Sequence, residues 1–141
     1  MNLQIKPLHA NFIAPRYATS GAAGFDLHAV EAGQALPGRV TKVPLGFAVA
    51  VPEGHGMLIS ARSGHGAKHG AGVPHGYGLI DSDYRGELFM LFVTNEPFTW
   101  AAGDRIAQAI IVPVQHVRFD HVDELPTTER GTGGFGSTGV K

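Results

Sequence analysis

The sequence predicts an all-β fold assembled from short strands. Glycine accounts for 20 of the 141 residues and proline for 9, so glycine is about twice as frequent as in an average protein. Both residue types are spread along the chain, and the segments between them are too short for a clean helical period of apolar residues. About nine or ten short apolar segments lie between turn signals at regular spacing, which is typical of a β-sandwich or barrel.

In the first half of the chain the predicted strands are Asn2–Leu8, Phe25–Val30, Arg39–Val43, Gly46–Val51 and Met57–Ala61. In the first of these, Leu3 and Ile5 share one face. The small residues of Ala18–Gly24 form a turn before the second strand. Pro44 separates the third strand from the fourth, because proline is excluded from the middle of a hydrogen-bonded ladder.

In the second half the predicted strands are Gly78–Ile80, Glu87–Val93, Phe98–Trp100, Arg105–Val112 and His116–His121. Ser63–Gly76 is predicted to be a connection without a helix, because its glycines disfavour one, and Asp81–Gly86 is predicted to be a bend. Arg105–Val112 is ambiguous, since its Ala-Gln-Ala stretch also suits a helix, but the Gly-Asp turn before it and Pro113 after it favour a strand. The length predicts one domain.

The composition excludes several classes of function. The chain carries 11 Lys and Arg against 12 Asp and Glu, a net charge of −1, which argues against general nucleic-acid affinity and against a polybasic membrane surface. Cysteine is absent, which excludes disulfides, Cys-ligated zinc and thiol catalysis. No apolar stretch approaches the roughly 20 residues of a membrane-spanning helix, and Met1–Pro7 does not begin a signal peptide. The predicted location is therefore the cytoplasm.

Two stretches near the C-terminus match nucleotide-binding signatures in part, but the residues around or within them do not meet the requirements of those sites. Gly131–Gly136 matches G-x-G-x-x-G, but a dinucleotide site needs a strand before the pattern and a helix after it. The same stretch has Ser137 where a Walker A loop needs lysine. The eight histidines include His65 and His69, four residues apart, but without a helix to align them we interpret them as surface or loop histidines rather than as a zinc site.

Five polar, glycine-containing segments remain between the strands: Tyr17–His28, Ala61–Gly70, Gly78–Glu87, Gly103–Gln108 and Arg130–Gly139. Singly, each suits an ordinary turn, loop or tail. Together they indicate an anionic ligand, because Arg62 and Arg130 can pair with phosphate oxygens and nearby small residues expose backbone N–H groups. The residues that offer donors in this way are Ser63, Gly64, Gly133, Gly136 and, through its side chain, Gln108.

Three further residues suit chemistry on a nucleotide. Asp81 follows the apolar pair Leu79-Ile80 and so stands at the end of a predicted strand, a placement that suits a general base for water. Tyr84 and Phe135 offer flat surfaces for a base or a sugar.

In order, spacing and wording, the five segments resemble the five motifs of the homotrimeric dUTPases, from about Tyr17 to Gly139. The third, GLIDSDYRGE, and the fifth, RGTGGFGSTG, are the most specific. The resemblance implies an all-β β-clip or distorted jelly roll over residues 1–125, with a flexible glycine-rich C-terminal arm, residues 126–141, that closes over a neighbouring active site. It also implies hydrolysis of dUTP to dUMP and pyrophosphate with Mg²⁺, which keeps uracil out of DNA and supplies dUMP for thymidylate synthesis, in a homotrimer with shared active sites.

The resemblance also assigns roles to residues. Asp81 resembles the base that orients water for attack on the α-phosphorus, and Tyr84 resembles the residue packed under deoxyribose. Phe135 resembles the residue of the arm that stacks on uracil. Asp26 resembles the acidic residue of the first motif, whose role is either structural or to lie close to the waters of a Mg²⁺ ion that the triphosphate holds. The substrate-binding residues implied in this way are Arg62, Ser63, Gly64, His75, Leu79, Ile80, Asp81, Tyr84, Phe89, Gln108, Arg130, Phe135, Gly136 and Ser137.

The segment Val73–Tyr77, which resembles the base-reading hairpin, departs from the family pattern. It carries His75 where the family tends to have asparagine, and His65 and Ala71 stand where bulkier aliphatic residues are usual. The family reads the pyrimidine edge largely through backbone groups of this hairpin. The sequence therefore predicts a uracil site but not how sharply it discriminates against other bases.

Other functions stay open alongside dUTP hydrolysis. One is a dCTP deaminase-like or bifunctional enzyme of the same fold, although such enzymes use a glutamate in the third region, where Asp81 and Tyr84 match the hydrolase. The others are a non-catalytic nucleotide-binding regulatory protein and a purely structural module. For the trimer, Ala109–Val114 and His116–Phe119 are the predicted contact segments, because small β domains often bury such strands between subunits.

Overall fold

The structure is a computed structural model that describes residues 1–134. In that range, strands of two to nine residues account for all of the regular structure except one seven-residue helix. The all-β prediction is confirmed. In chain order the elements are β1 (Gln4–Pro7), β2 (Arg16–Tyr17), β3 (Phe25–His28), β4 (Gly33–Ala35), β5 (Thr41–Pro44), β6 (Phe47–Ala50), β7 (His55–Ala61), α1 (Ser63–His69), β8 (Gly78–Ile80), β9 (Phe89–Phe92), β10 (Phe98–Trp100) and β11 (Arg105–Pro113).

The strands form one five-stranded antiparallel sheet and three two-stranded ones. The large sheet has the order β2-β3-β11-β7-β8, and the pairs are β1-β6, β4-β10 and β5-β9. Strand β11 lies at the centre of the large sheet, where Gln108 is paired with Asp26 of β3 on one side and with Ser60 of β7 on the other. Residues far apart in sequence are therefore brought into one row across the sheet.

The core lies between these sheets and follows the two-residue alternation of the strands. In β9, Met90 and Phe92 are buried and alternate with the half-buried Phe89 and Leu91. In β7, Met57 and Ile59 are buried on either side of the half-buried Leu58. All of these buried side chains belong to one continuous cluster. Because a single core spans residues 25–109, the strands that carry the site are held in fixed relative positions.

Most predicted strands are present, and two are reproduced residue for residue, Gly78–Ile80 and Phe98–Trp100. Arg105–Val112 is a strand rather than a helix, as the flanking turn and proline favoured. The prediction of a strand at His116–His121 was wrong, because no other strand of the described chain lies beside it to supply hydrogen bonds. The two- and three-residue strands β2 and β4 were not predicted, since so few residues show no periodicity.

The prediction that Ser63–Gly76 contains no helix was also wrong. Helix α1 forms despite its glycines because tertiary contacts hold it. The carbonyl of His69 accepts hydrogen bonds from the backbone N–H groups of Asn95 and Glu96 and from the hydroxyl of Thr94, at 2.8–3.0 Å. The helix ends at Gly70, whose φ of 60° is left-handed and where a Cβ would stand 2.5 Å from the Asn95 side chain.

The sequence had indicated that His65 and His69 lie in a loop, but both residues belong to α1. Both imidazoles lie on the same side of α1 and stack on Phe98, with ring centroids 5.0 and 4.8 Å from it. His65 also donates through Nε2 to the carbonyl of Arg105 at 3.3 Å, because a carbonyl can only accept. The two histidines thus attach α1 to the sheet.

Candidate active site

A cavity of about 310 Å³ opens between β5, β8, β9 and the segment before β8. This volume is at the lower end of the range for small-molecule sites. Its walls include six residues that the sequence had singled out: His75, Leu79, Ile80, Asp81, Tyr84 and Phe89. The other wall residues were not among the predicted substrate-binding residues; Val73 and Glu87 lie in segments that the sequence had singled out, whereas Lys42 lies outside all of them.

Asp81 is the first residue after β8, so a strand paired with β7 fixes the start of its turn. It is exposed and begins a turn in which the N–H of Tyr84 bonds to its carbonyl at 3.3 Å. Arg85 closes this turn, because its Nη1 donates to the carbonyls of Ser82 and Tyr84 at 2.7 and 2.8 Å. The carboxylate is therefore presented to the cavity by a rigid turn.

Tyr84 is held across the wall of the cavity by its own turn. Its hydroxyl donates to the carbonyl of Glu87 at 3.1 Å, and the ring passes directly over Gly86. A Cβ at position 86 would stand 2.2 Å from that hydroxyl oxygen and 2.5 Å from Cζ. The absence of a side chain at Gly86 thus sets the position of the Tyr84 ring.

His75 occupies a tight turn at the mouth of the cavity. The N–H of Gly76 bonds to the carbonyl of Val73 at 3.0 Å, and the two residues form an isolated antiparallel bridge. Gly76 has a φ of 89°, a conformation that favours glycine. Pro74 and His75 form the exposed tip of this turn, so backbone groups and the imidazole both face the opening.

A second group of predicted residues lies on the large sheet, around Asp26. Its carboxylate pairs with Arg62 Nε at 3.0 Å and with Arg105 Nη1 at 3.2 Å, and its side chain is only 13% exposed. Arg16 lies opposite Asp26 in the β2–β3 register. We refer to Arg16, Asp26, Arg62 and Arg105 as the arginine cluster. Three guanidiniums against one carboxylate leave this cluster positive.

Three other predicted anion-binding residues lie beside the arginine cluster. Gln108 faces Asp26 across the β3–β11 ladder, and its amide donates to the carbonyl of Ala61 at 3.4 Å. Ser63 and Gly64 follow Arg62 directly and open α1, where backbone N–H groups have no helical partner. Open space surrounds the position where a Cβ of Gly64 would stand. Packing within the chain therefore does not require glycine at position 64.

His28 is a buried neighbour of the arginine cluster that the sequence did not single out. It is 7% exposed, and its Nδ1 has no hydrogen-bond partner within residues 1–134. Burial lowers the pKa of His28 below its ordinary value of 6.5. The charge of Asp26 opposes this shift, and those of Arg16, Arg105 and Arg62 add to it. The fold therefore favours the neutral form of the imidazole.

The predicted arm residues are only partly described. Arg130 is exposed, and its Nε donates to the carbonyl of Gly133 at 2.8 Å within a local turn. Phe135, Gly136 and Ser137 lie outside the described residues. Within residues 1–134, the structure thus divides the predicted site into the cavity and the arginine cluster, and no cluster residue lines the cavity.

Comparison with known proteins identifies the family. The sequence model of the dUTPase family matches residues 10–139. The chain belongs to the dUTPase family. A deoxyuridine 5'-triphosphate nucleotidohydrolase of Anaeromyxobacter sp. is 48% identical over 127 residues, which cover 89% of this chain and 86% of that protein. The deoxyuridine 5'-triphosphate nucleotidohydrolase of Nautilia profundicola is 45% identical over 141 residues, which cover 99% of this chain and 99% of that protein.

The fold is that of the dUTPases as well. A mutant of the Staphylococcus bacteriophage 80alpha dUTPase, solved with dUpNHpp, superposes with a TM-score of 0.90 at 27% identity and covers 99% of each chain. The distorted jelly roll that the motifs implied is therefore confirmed. No helix within residues 1–134 has the length and apolar character needed to cross a membrane.

The side chains around Asp26 determine what the protein itself can offer to a metal ion. Within residues 1–134, no group of three His, Asp or Glu side chains lies close enough together to hold a metal ion. Asp26 is engaged by two guanidiniums, which leaves little of its carboxylate for direct coordination. Mg²⁺ is usually bound through one or two carboxylates together with substrate phosphates and keeps several waters, and a carboxylate such as that of Asp26 is compatible with this kind of binding.

Proposed function

We propose that this chain hydrolyses dUTP to dUMP and pyrophosphate by attack of water on the α-phosphorus, with Asp81 as the general base. Membership of the dUTPase family supports the reaction itself. The observation that carries the mechanism is that Asp81, an exposed carboxylate on a rigid turn, shares one cavity with the residues expected to hold the nucleoside. Asp81 takes a proton from water, the new P–O bond forms, and pyrophosphate leaves with the electrons of the broken anhydride bond.

The cavity is the proposed nucleoside site. Tyr84, fixed by Gly86 and by the carbonyl of Glu87, lies under the deoxyribose and leaves no room for a 2′-hydroxyl. The Val73–Gly76 turn presents backbone donors and acceptors to the uracil edge, so unpaired polar groups would penalise a wrong base. His75 stands at the tip of that turn and contacts the base edge. Leu79, Ile80 and Phe89 form the apolar walls.

The arginine cluster is the proposed phosphate site. Asp26 orients Arg62 and Arg105 and neutralises only part of their charge, so the surplus attracts a triphosphate. Ser63 and Gly64 add backbone N–H donors, and Gln108 adds an amide. When Mg²⁺ is bound to the phosphates, it neutralises charge on them. Asp26 and Gln108 would face its waters rather than the ion.

The separation of the two groups supports a homotrimer with shared sites. In one chain, the cavity and the arginine cluster have no wall in common, and we infer that a complete site combines the cavity of one copy with the arginine cluster of another. The segment after β11 exposes Phe119 by 85% and Leu125 by 82%, together with Val117 and Val122. Monomers rarely leave such apolar residues together in water. We place this segment and Ala109–Val114 in contacts between copies, except for the Ala109 side chain, which is buried in the core of its own chain.

The domain division follows from the same proposal. Residues 1–125 form the β domain, and residues 126–141 form the arm, whose Arg130, Phe135, Gly136 and Ser137 close over the site of a neighbouring copy. The predicted cytoplasmic location and the absence of nucleic-acid and membrane partners stay predictions.

The test is the release of pyrophosphate from dUTP, dCTP, dTTP and UTP, each with Mg²⁺ and with EDTA. We expect release from dUTP alone, and its loss with EDTA. Asp81→Ala should abolish turnover and leave dUTP binding nearly unchanged, whereas the matched control Asp83→Asn, two residues along the same turn, should retain both. Conversion of dCTP to dUTP, with dUTP left intact, would instead identify a deaminase. Binding of dUTP without any turnover would identify a regulatory protein.

A further inference from the structure

Lys42 is a charged residue in the wall of the cavity to which no dUTPase motif of this sequence gives a role. It lies on β5, is exposed and lines the cavity. Its Nζ stands 3.7 Å from the centroid of the Phe89 ring. This is well within the roughly 6 Å over which a cation is attracted to the face of an aromatic ring.

The sheet geometry explains why these two side chains meet. In the β5–β9 ladder, Pro44 pairs with Phe89 and Lys42 pairs with Leu91. Lys42 is thus the diagonal neighbour of Phe89 on the outer face of the ladder, a separation that long side chains bridge. Val43 points the other way, into the core, which fixes the face on which Lys42 lies.

The ring of Phe89 is the partner that the structure gives to this ammonium. The ion pairs within residues 1–134 involve His9, Arg62 and Arg105, and none involves Lys42. The ammonium lies over one face of the ring, and the Phe89 side chain itself is only half-buried. A contact on that face is therefore placed to limit the movement of the ring at the cavity wall.

We propose that Lys42 is a positioning residue for nucleoside binding, which holds the Phe89 ring in place as a wall of the cavity. The inference rests on the proposed function and deepens it, because it adds a residue that acts through Phe89 on the nucleoside rather than on the phosphates. Lys42 is exposed and Phe89 is half-buried, so we expect the loss of their contact to change binding more than the stability of the fold.

Lys42→Met keeps the aliphatic stem and removes the charge. We expect KM for dUTP to rise about two- to fivefold, the range of a surface cation–π contact, with kcat unchanged. The inhibition constants of deoxyuridine and dUMP should rise by the same factor, because the effect is on the nucleoside. Lys42→Arg should restore the wild-type constants, since a guanidinium also stacks on aromatic rings. Lys6→Met, on the exposed strand β1, is the matched control and should change nothing.

A double-mutant cycle tests whether the effect passes through the ring. In a Phe89→Leu background, Lys42→Met should have no further effect. A loss seen with dUTP but not with deoxyuridine would mean that Lys42 contacts phosphate, and it would overturn the proposal, as would unchanged constants or a failure of Lys42→Arg to restore them. If one of these contradicting results is obtained while the wild-type chain turns over dUTP, it refutes only the role of Lys42. If it does not, the proposed function fails and this inference fails with it.

Discussion

Gly86→Ala tests whether the position of the Tyr84 ring controls turnover. The new methyl group would stand 2.2 Å from the Tyr84 hydroxyl oxygen, whereas ordinary contact begins at 3.4 Å, so the ring tip must move by at least 1.2 Å. Gly86 has no left-handed φ, so the backbone itself accepts alanine. The movement disrupts the exposed hydrogen bond to the Glu87 carbonyl, which is worth about 0.5–1.5 kcal/mol. We therefore expect the free energy of unfolding to fall by no more than that amount.

The loss of activity should be much larger than the loss of stability. A displacement of about 1 Å of a group that positions substrate can cost a hundredfold, so we expect kcat/KM for dUTP to fall by about 10- to 100-fold. Pyrophosphate release and urea unfolding, measured on the same preparations, separate the two effects. Gly21→Ala is the matched control, because its Cβ meets nothing within 4 Å.

The Tyr84→Ala background shows whether the methyl group acts through the ring. With the ring removed, Gly86→Ala should cost nothing further in kcat/KM, and the two substitutions should be strongly non-additive. Activity of Gly86→Ala within twofold of the wild type would refute the reasoning. So would an equal loss in both backgrounds, since it would mean that the methyl group disturbs something other than Tyr84.

Three further outcomes follow from the structure. Asp26→Asn should weaken dUTP binding and lower the free energy of unfolding by about 1.5–3 kcal/mol, the range for hydrogen bonds to charged groups, because Arg62 and Arg105 both lose an anionic partner. Calorimetry measures the binding and urea unfolding the stability, and unchanged binding would contradict the prediction. Because the pKa of His28 is lowered in the fold, the unfolded chain binds more protons than the folded chain as pH falls below 6.5, so the free energy of unfolding should decrease there. His28→Gln should flatten that part of the pH profile in urea unfolding, and an unchanged slope would contradict this role of His28. Truncation after Glu129 should abolish turnover but preserve the fold by circular dichroism, whereas full activity would show that the arm is dispensable.

The parts of the fold that the sequence predicted are those determined by local pattern. Strands β8 and β10 were predicted without error, because each is a short apolar segment between turn residues. Helix α1 was not predicted, since its propensity is poor and the contacts that stabilise it, with Asn95 and Phe98, come from a distant part of the chain. The strand predicted at His116–His121 fails for the converse reason. Its pattern is suitable, but the described chain offers it no partner.

The same division applies to the candidate site. The motif residues were identifiable because each carries its chemistry in its own side chain, as Asp81 and Arg62 do. The shared pairing of Arg62 and Arg105 with Asp26 was not readable, since it depends on the order β3-β11-β7 in the sheet. Lys42 was equally hidden, because it lies outside every motif and reaches the cavity only through the β5–β9 register.

Strand β7 explains how both groups of site residues are held by one rigid element. It pairs with β8 on one edge, which places Ile80 opposite Met57 immediately before Asp81. It pairs with β11 on the other edge, which places Gln108 opposite Ser60, and it ends one residue before Arg62. Because Met57 and Ile59 anchor β7 in the core, the strand holds the backbone close to both Asp81, the proposed base, and Arg62, the proposed phosphate ligand. If copies share sites, each β7 connects the catalytic half of one site to the phosphate-binding half of another.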